Sequence, residues 1–216
     1  MSDSLPRVLY LHPAAAFGGA SKSLIELFTR LHSLGVQGTV VTPDGPVCEA
    51  FVKAGMDVRK VKGLSQFDNT RFSHYRRLRW IILLREIFLL PFSLAAICRL
   101  RHEKFDLLHV NEVTLLPLAI VAKWLLRVPM LVHVRSLQRA PGSGLRTRLV
   151  NAWLRRHADA VVPIDHTVAA TLPADLPLSI VHNGLGIEND VQTLSARRAD
   201  EPVRVGFLGV LIPLKG

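Results

Sequence analysis

His133 and Arg135 stand two residues apart where the apolar run Met130–Val134 ends. Side chains alternate along an extended strand, so this imidazole and guanidinium share one face and reach one cleft, while Val132 and Val134 take the other face. An imidazole at such a place can act on a proton, and a guanidinium can hold phosphate. A satisfied core histidine is the competing reading of His133 alone. A second constellation is Phe17-Gly18-Gly19-Ala20-Ser21, which joins the apolar run Arg7–His12 to a helical pattern beginning near Ser21. Paired glycines before a helix leave backbone N–H groups pointing outward, where the helix macrodipole favours an anion. The turn is therefore a candidate phosphate cradle, although two glycines also serve a tight strand-to-helix turn. Asn111 and Glu112 follow the run Asp106–Val110 and complete the set.

The elements that must position these residues are apolar runs of strand length alternating with helix-length segments. The strand candidates are Arg7–His12, Gly38–Thr42, Asp57–Val61, Asp106–Val110, Met130–Val134, Ala160–Ile164, Leu178–Val181 and Val203–Leu208. They are continuous rather than alternating, as strands covered by helices on both faces are. An α/β fold follows, with a Rossmann-like open parallel sheet and helices on both faces. Ligands of such sheets bind beyond the carboxyl ends of the strands, which is where the candidates stand. Helices are expected over Ser21–His32, Val47–Ala54, Trp80–Leu100, Leu115–Leu126 and Leu145–His157, the last with Leu145, Leu149 and Trp153 inward. Residues 65–79 have no clear period and read as a surface loop or insertion, and residues 137–144 as a polar loop able to close over a substrate. Polarity rises and periodicity fades over 185–202, as in a linker.

The 216-residue chain carries a net charge of +10, concentrated in two stretches. Residues 71–104 hold eight Lys/Arg against Glu86 and Glu103, and residues 129–157 hold six Arg and no acid. Such patches suit phosphates or an anionic membrane surface. Aromatic residues are too sparse among the arginines for a base-stacking platform, which argues against nucleic acid. Trp80–Leu100 is the most apolar stretch, but Arg85, Glu86 and Pro91 interrupt the roughly 20 apolar residues that a membrane span needs. It reads as a core helix kinked at Pro91, or as a helix partly sunk in the membrane interface. Cys48 and Cys98 form no disulfide or metal pattern, and no signal peptide is seen. The expected place is cytoplasmic, with peripheral contact at the inner face of the membrane.

The turn Phe17-Gly18-Gly19-Ala20, the strand Asp106-Leu107-Leu108-His109-Val110, His133 at the fifth strand end and the turn Val181-His182-Asn183-Gly184 occur in this order, followed by Val205-Gly206-Phe207-Leu208-Gly209 and Lys215-Gly216. The ordered set resembles family 4 of the retaining glycosyltransferases, of GT-B architecture with two facing Rossmann-like domains. The resemblance implies that residues 1–185 are the acceptor-binding N-terminal domain, 186–202 a linker and 203–216 the first strand of a donor-binding domain otherwise missing. It implies a catalytic role for His133, near the transferred sugar. It implies acceptor or phosphate binding by Gly18 and Gly19 and donor binding by Lys215; Ala20, Asn111, Glu112 and Arg135 join the acceptor or phosphate set by their places at the turn and the strand ends. Val210 stands where the family places a donor-binding Arg. The implied substrates are a nucleotide sugar and a glycan or lipid-linked acceptor, with no metal and no cofactor. Because the family's donor-binding glutamates would lie beyond residue 216, this fragment is expected to transfer little or no sugar. The alternatives are a non-catalytic, membrane-associated binding module of the same fold and a nicotinamide- or flavin-binding domain. The second lacks the G-x-G-x-x-G fingerprint.

Overall fold

The structure, a computed structural model, describes residues 5–71, 81–140 and 144–184. The chain divides after Leu185. The linker, the restarting strand and Lys215 lie outside the described residues.

Six strands, β1 (Arg7–Leu11), β2 (Gln37–Pro43), β3 (Asp57–Val61), β4 (Leu107–Val110), β5 (Met130–Val134) and β6 (Ala160–Pro163), form one sheet in the order β3-β2-β1-β4-β5-β6. Every pairing is parallel. Among the described residues six helices connect or follow them: α1 (Gly19–Ser33), α2 (Val47–Lys53), α3 (Ile82–Arg99), α4 (Leu116–Leu126), α5 (Leu145–His157) and the single turn α6 (His166–Ala169). Strand alternation sorts the apolar residues into two cores. Val8 and Tyr10 join Leu24, Phe28, Val47 and Phe51 beneath α1 and α2. Leu9 and Leu11 join Ile97, Leu116, Ala119, Val150 and Leu154 beneath α3, α4 and α5. Covering both faces is what keeps the strands apolar without alternation.

Strand order reverses between β1 and β4, which are neighbours although α1, β2, α2, β3 and α3 intervene in sequence. The chains leave both strands in register, with Asn111 N donating to Leu11 O and His12 N donating to Val41 O. The crevice that opens beyond such a switch point is where this architecture takes ligands.

Three sequence expectations need correction. Leu178–Val181 is not a strand: it makes a single bridge, Val161 to Leu178, although Ser179 N and Val181 N donate to Val161 O and Pro163 O. Pro173 and Pro177 lie just before it, and Pro177 has no N–H to add to a ladder. Residues 65–71 are not a loose surface loop. Leu64 and Asn69 are buried, Phe67 packs edge-on against Trp153, and Thr70 bridges Gln138 of the loop after β5. The inward stripe of α5 is Thr147, Val150, Asn151 and Leu154, whereas Leu145 is exposed. The turn is rotated because Thr147 can bury a hydroxyl that donates to Asn69 Oδ1 at 3.1 Å, so a polar residue displaces a leucine from the core. Residues 72–80 and 141–143 lie outside the described residues.

The helix α3 runs unbroken through Pro91. It buries only one stripe, Glu86, Leu89, Ser93 and Ile97, and leaves several large apolar side chains exposed. No helix among the described residues is long and apolar enough to cross a membrane.

Candidate functional site

Arg135 is the hub of the crevice. Its Nε donates to Asn111 Oδ1 at 2.9 Å, its Nη1 to Ser23 Oγ at 2.9 Å and Asn183 Oδ1 at 3.0 Å, and its Nη2 to His133 Nδ1 at 3.3 Å. These partners come from β4, α1, the segment after β6 and β5, so the guanidinium ties four parts of the chain together at the carboxyl edge of the sheet. Among the described residues no carboxylate lies within ion-pair distance of it. The nearest acid in electrostatic effect is Glu112, which raises its pKa against the burial that lowers it to about 10. Arg135 remains a cation at any ordinary pH, half-buried, with Glu112 as the acid that acts on it from beyond ion-pair distance.

Arginine only donates, and this sets the proton positions in the rest of the cluster. Asn111 must present Oδ1 to Arg135, so its Nδ2 is the donor to His12 Nδ1 at 2.8 Å and to Ala20 O at 3.3 Å. His12 then carries its proton on Nε2 and donates to Ser21 Oγ at 3.1 Å. His133 likewise accepts at Nδ1 and carries its proton on Nε2, which is buried without a partner. Burial, reinforced by Arg135, pushes His12 down to about 4 and His133 down to about 3, so both rings are neutral. His12 was absent from the sequence candidates, as were Ser23 and Asn183. A signal for His12 existed, since it directly follows β1 at the switch point. Nothing in the sequence marks Ser23, whose role depends on which face of α1 meets β5.

The first turn of α1 lies open beside this network. Gly18 is extended at φ −157° and provides no side-chain cap, and a Cβ added to either Gly18 or Gly19 would meet nothing within 4 Å. Their lack of side chains is therefore not a packing requirement of this domain, and the helix start is accessible to a ligand's close approach. Ala20 is fastened to the network by its carbonyl. Glu112 faces inward: its Oε1 accepts from Val113 N and its Oε2 from Ser136 Oγ, both at 2.9 Å. Burial raises it to about 6 against these hydrogen bonds. It caps the 3-10 turn Val113–Leu115 that leads into α4.

The structure thus gathers Ala20, Asn111, His133 and Arg135 into one hydrogen-bonded cluster with Gly18 and Gly19 at its rim, and sets Glu112 beside it with both oxygens occupied. The His133 ring is only 5 % exposed and stacks obliquely on His109, with centroids 5.6 Å apart. Among the described residues no group of three or more His, Cys, Asp or Glu could hold a metal ion.

Several solved glycosyltransferases share this fold. A glycosyltransferase from Rickettsia africae superposes with a TM-score of 0.58 and 15% identity over 84% of this chain and 44% of its own. HepE from Anabaena, solved with UDP and glucose, does so at 0.56 and 17% over 83% of this chain and 45% of its own. MurG from Acinetobacter baumannii gives 0.53 and 16% over 83% and 46%. The chain spans less than half the length of each. They are GT-B proteins, and the described domain has the Rossmann-like form of one of their halves. No curated protein sequence matches the chain significantly. The sequence does match the glycosyl transferase 4-like domain over residues 18–182, which takes in α1, β4, Asn111, His133 and Arg135, and the chain belongs to that family.

Proposed function

We propose that this domain is the acceptor-side half of a retaining glycosyltransferase, which moves a hexose from a nucleotide sugar to a glycan or lipid-linked acceptor in the building of a polysaccharide. The observation that carries the reading is the Arg135 guanidinium, which four neutral partners hold rigidly and which, among the described residues, forms no direct ion pair with a carboxylate. A cation fixed beside an open helix N-terminus is preorganised for a diphosphate or a phosphate-bearing acceptor, and charge placed before the reaction is what stabilises a leaving group. That HepE was solved with UDP and glucose supports a nucleotide-sugar donor here as well. Gly18, Gly19 and Ala20 let the phosphate approach the backbone, Asn111 orients Arg135, and Glu112 sets the local potential. His133 acts at the sugar as a neutral ring oriented by Arg135. Lys215 is assigned to the donor diphosphate in this reading. No metal or cofactor is required in this reading. Both cysteines are free thiols, as a reducing, cytoplasmic setting would keep them.

The test is binding of UDP, other nucleoside diphosphates and inorganic pyrophosphate to the chain by calorimetry. Arg135→Gln should weaken whichever binds by at least tenfold, the scale of a charge-assisted contact to phosphate. Equal binding by the variant would remove Arg135 from the site. With the donor-binding domain present, His133→Ala should lower turnover by about a hundredfold or more.

A further inference from the structure

We infer that the exposed face of α3, with the groove it forms against β3, docks onto an anionic phospholipid bilayer. This goes beyond the glycosyltransferase reading and rests on it only for the purpose of docking, the delivery of a lipid-linked acceptor. Leu84, Ile87 and Phe88 are each more than half exposed, and Phe92 is exposed beside them. They lie at helical spacings that put them on the side of α3 opposite its buried stripe. A helix with one packed apolar stripe and a second, exposed one has a face left for something apolar.

The charges around this face select the occupant. Lys62 Nζ sits 5.1 Å from the Phe88 ring centroid and 5.0 Å from that of Phe92, so its ammonium crowns the two rings. Below them, between β3 and the second half of α3, runs a groove of about 490 Å3 whose floor includes Val61, Ala95, Ala96 and Leu100, with Lys62 and Arg99 on its rim. The neighbouring Arg59 and Lys60 are held by Asp57, Glu103 and Asp44. Lys62 and Arg99 have no ion pair among the described residues. Two unneutralised cations flanking exposed aromatic rings match a surface that is anionic at the headgroups and apolar beneath them, as a bilayer of acidic phospholipid is.

The location gives the docking a use. Gln66 N donates to Glu86 Oε2 in the first half of α3 at 2.7 Å, while its side chain accepts from Thr114 Oγ1 and donates to Pro13 O. Pro13 follows His12, and Thr114 follows Glu112. The exposed start of α3 is therefore fastened to the same edge of the sheet as the Arg135 network, and a bilayer met there brings that edge to the headgroup layer.

Flotation of the full 216-residue chain with phosphatidylcholine vesicles, with and without 30 mole per cent phosphatidylglycerol, tests this; that content is about that of an acidic membrane leaflet. The wild-type chain should partition onto the anionic vesicles. Lys62→Gln with Arg99→Gln should weaken that partitioning roughly 30-fold, at about fivefold for each cation near the surface. Phe88→Ala with Phe92→Ala should weaken it on both vesicle types, and these exposed positions leave the melting temperature in place. A Phe88→Trp variant should shift its emission to the blue on anionic vesicles and be quenched by brominated acyl chains. Unchanged partitioning of both double variants, or no quenching of the tryptophan, overturns the proposal. So does dimerisation of the chain that the Phe88 and Phe92 changes abolish, which assigns the face to a second copy. None of these outcomes bears on nucleotide binding, so the two readings fail separately.

Discussion

One arginine dictates four proton positions in this domain. Because Arg135 cannot accept, Asn111 is turned one way, His12 holds one tautomer, Ser21 Oγ accepts its N–H, and His133 is left with an N–H that no atom of the described residues accepts. The arrangement separates two roles for His133 that the sequence alone could not. If its task is to accept from Arg135, an asparagine, which also offers an acceptor at about that reach, should restore much of what alanine loses. We expect His133→Ala to weaken nucleoside diphosphate binding and His133→Asn to recover at least half of the lost binding free energy. If its task lies in the transfer step, with the donor-binding domain present, asparagine should recover binding but leave turnover low. Calorimetry with the three proteins, followed by kcat, separates the cases. Ser23→Ala provides a companion measurement. Removing one of four partners of the guanidinium should cost about 1 kcal/mol of ligand binding, or about fivefold.

At the scale of elements, two kinds of glycine make opposite predictions. A Cβ on Gly38, in β2, would lie 2.4 Å from a ring carbon of Phe28 and 3.1 Å from one of Tyr10. Overpacking of this kind costs about 1–3 kcal/mol, so Gly38→Ala should lower the melting temperature by several degrees, at about 2–4 °C per kcal/mol for a chain of this size. Gly18→Ala and Gly19→Ala meet open space. Gly19→Ala, inside the helix, should leave the melting temperature unchanged or slightly raised, since alanine favours the helix; Gly18→Ala, at the N-cap, should lower it by no more than about 2 °C, a few tenths of a kcal/mol, and both should weaken ligand binding. Differential scanning calorimetry decides between the two classes, and a larger fall in stability at Gly18 or Gly19 would return them to turn formation alone. The same contrast explains what the sequence disclosed. Five of the six strands were legible because burial on both faces writes continuous apolar runs, whereas β3 is an exposed edge strand that carries charges; Asn111, His133 and Arg135 were legible because they stand at the ends of such runs. The rotation of α5 was not, because Thr147 enters the core on account of Asn69, which stands 78 positions away and leaves no periodic trace. Ser23 was hidden for the same reason, since it meets Asn183, 160 positions away, only in the folded chain. The apolarity of α3 was plain, yet a mean hydropathy cannot tell a stripe facing the sheet from one facing outward.

For the molecule as a whole, the switch point is where stability and the site meet. His12, His109 and His133 stand across β1, β4 and β5 at the crevice, all buried, and burial holds them at about 4, 3 and 3. His109 is further lowered by His133 and Arg135, and its Nε2 lacks a partner, as does the hydroxyl of the adjacent Tyr10. In the unfolded chain each of these histidines titrates near 6.5. Between that value and the folded values the unfolded state binds protons that the folded state refuses, so stability rises with pH there and is lost as pH falls below about 6.5. Each ring accounts for about 1.4 kcal/mol per pH unit. Glu112 works in the other direction. Its folded value of about 6 lies above the unfolded 4.5, so between those limits the folded state holds the extra proton, and one of the three histidine contributions is cancelled. The net uptake on unfolding between pH 6 and pH 5 is therefore about two protons, or about 3 kcal/mol per unit. Against a total stability of about 5–15 kcal/mol, that slope should bring the domain close to unfolding before the acid range of ordinary carboxylates is reached. Urea midpoints at pH 7, 6 and 5 measure it directly. His109→Leu, which removes one buried ring and its orphaned N–H or lone pair, should flatten the slope by one proton and raise the midpoint at pH 5. A midpoint that does not move between pH 7 and pH 5 would mean that these rings are reachable by protons in the folded state, and that the crevice is wetter than the burial of His133 and His109 allows.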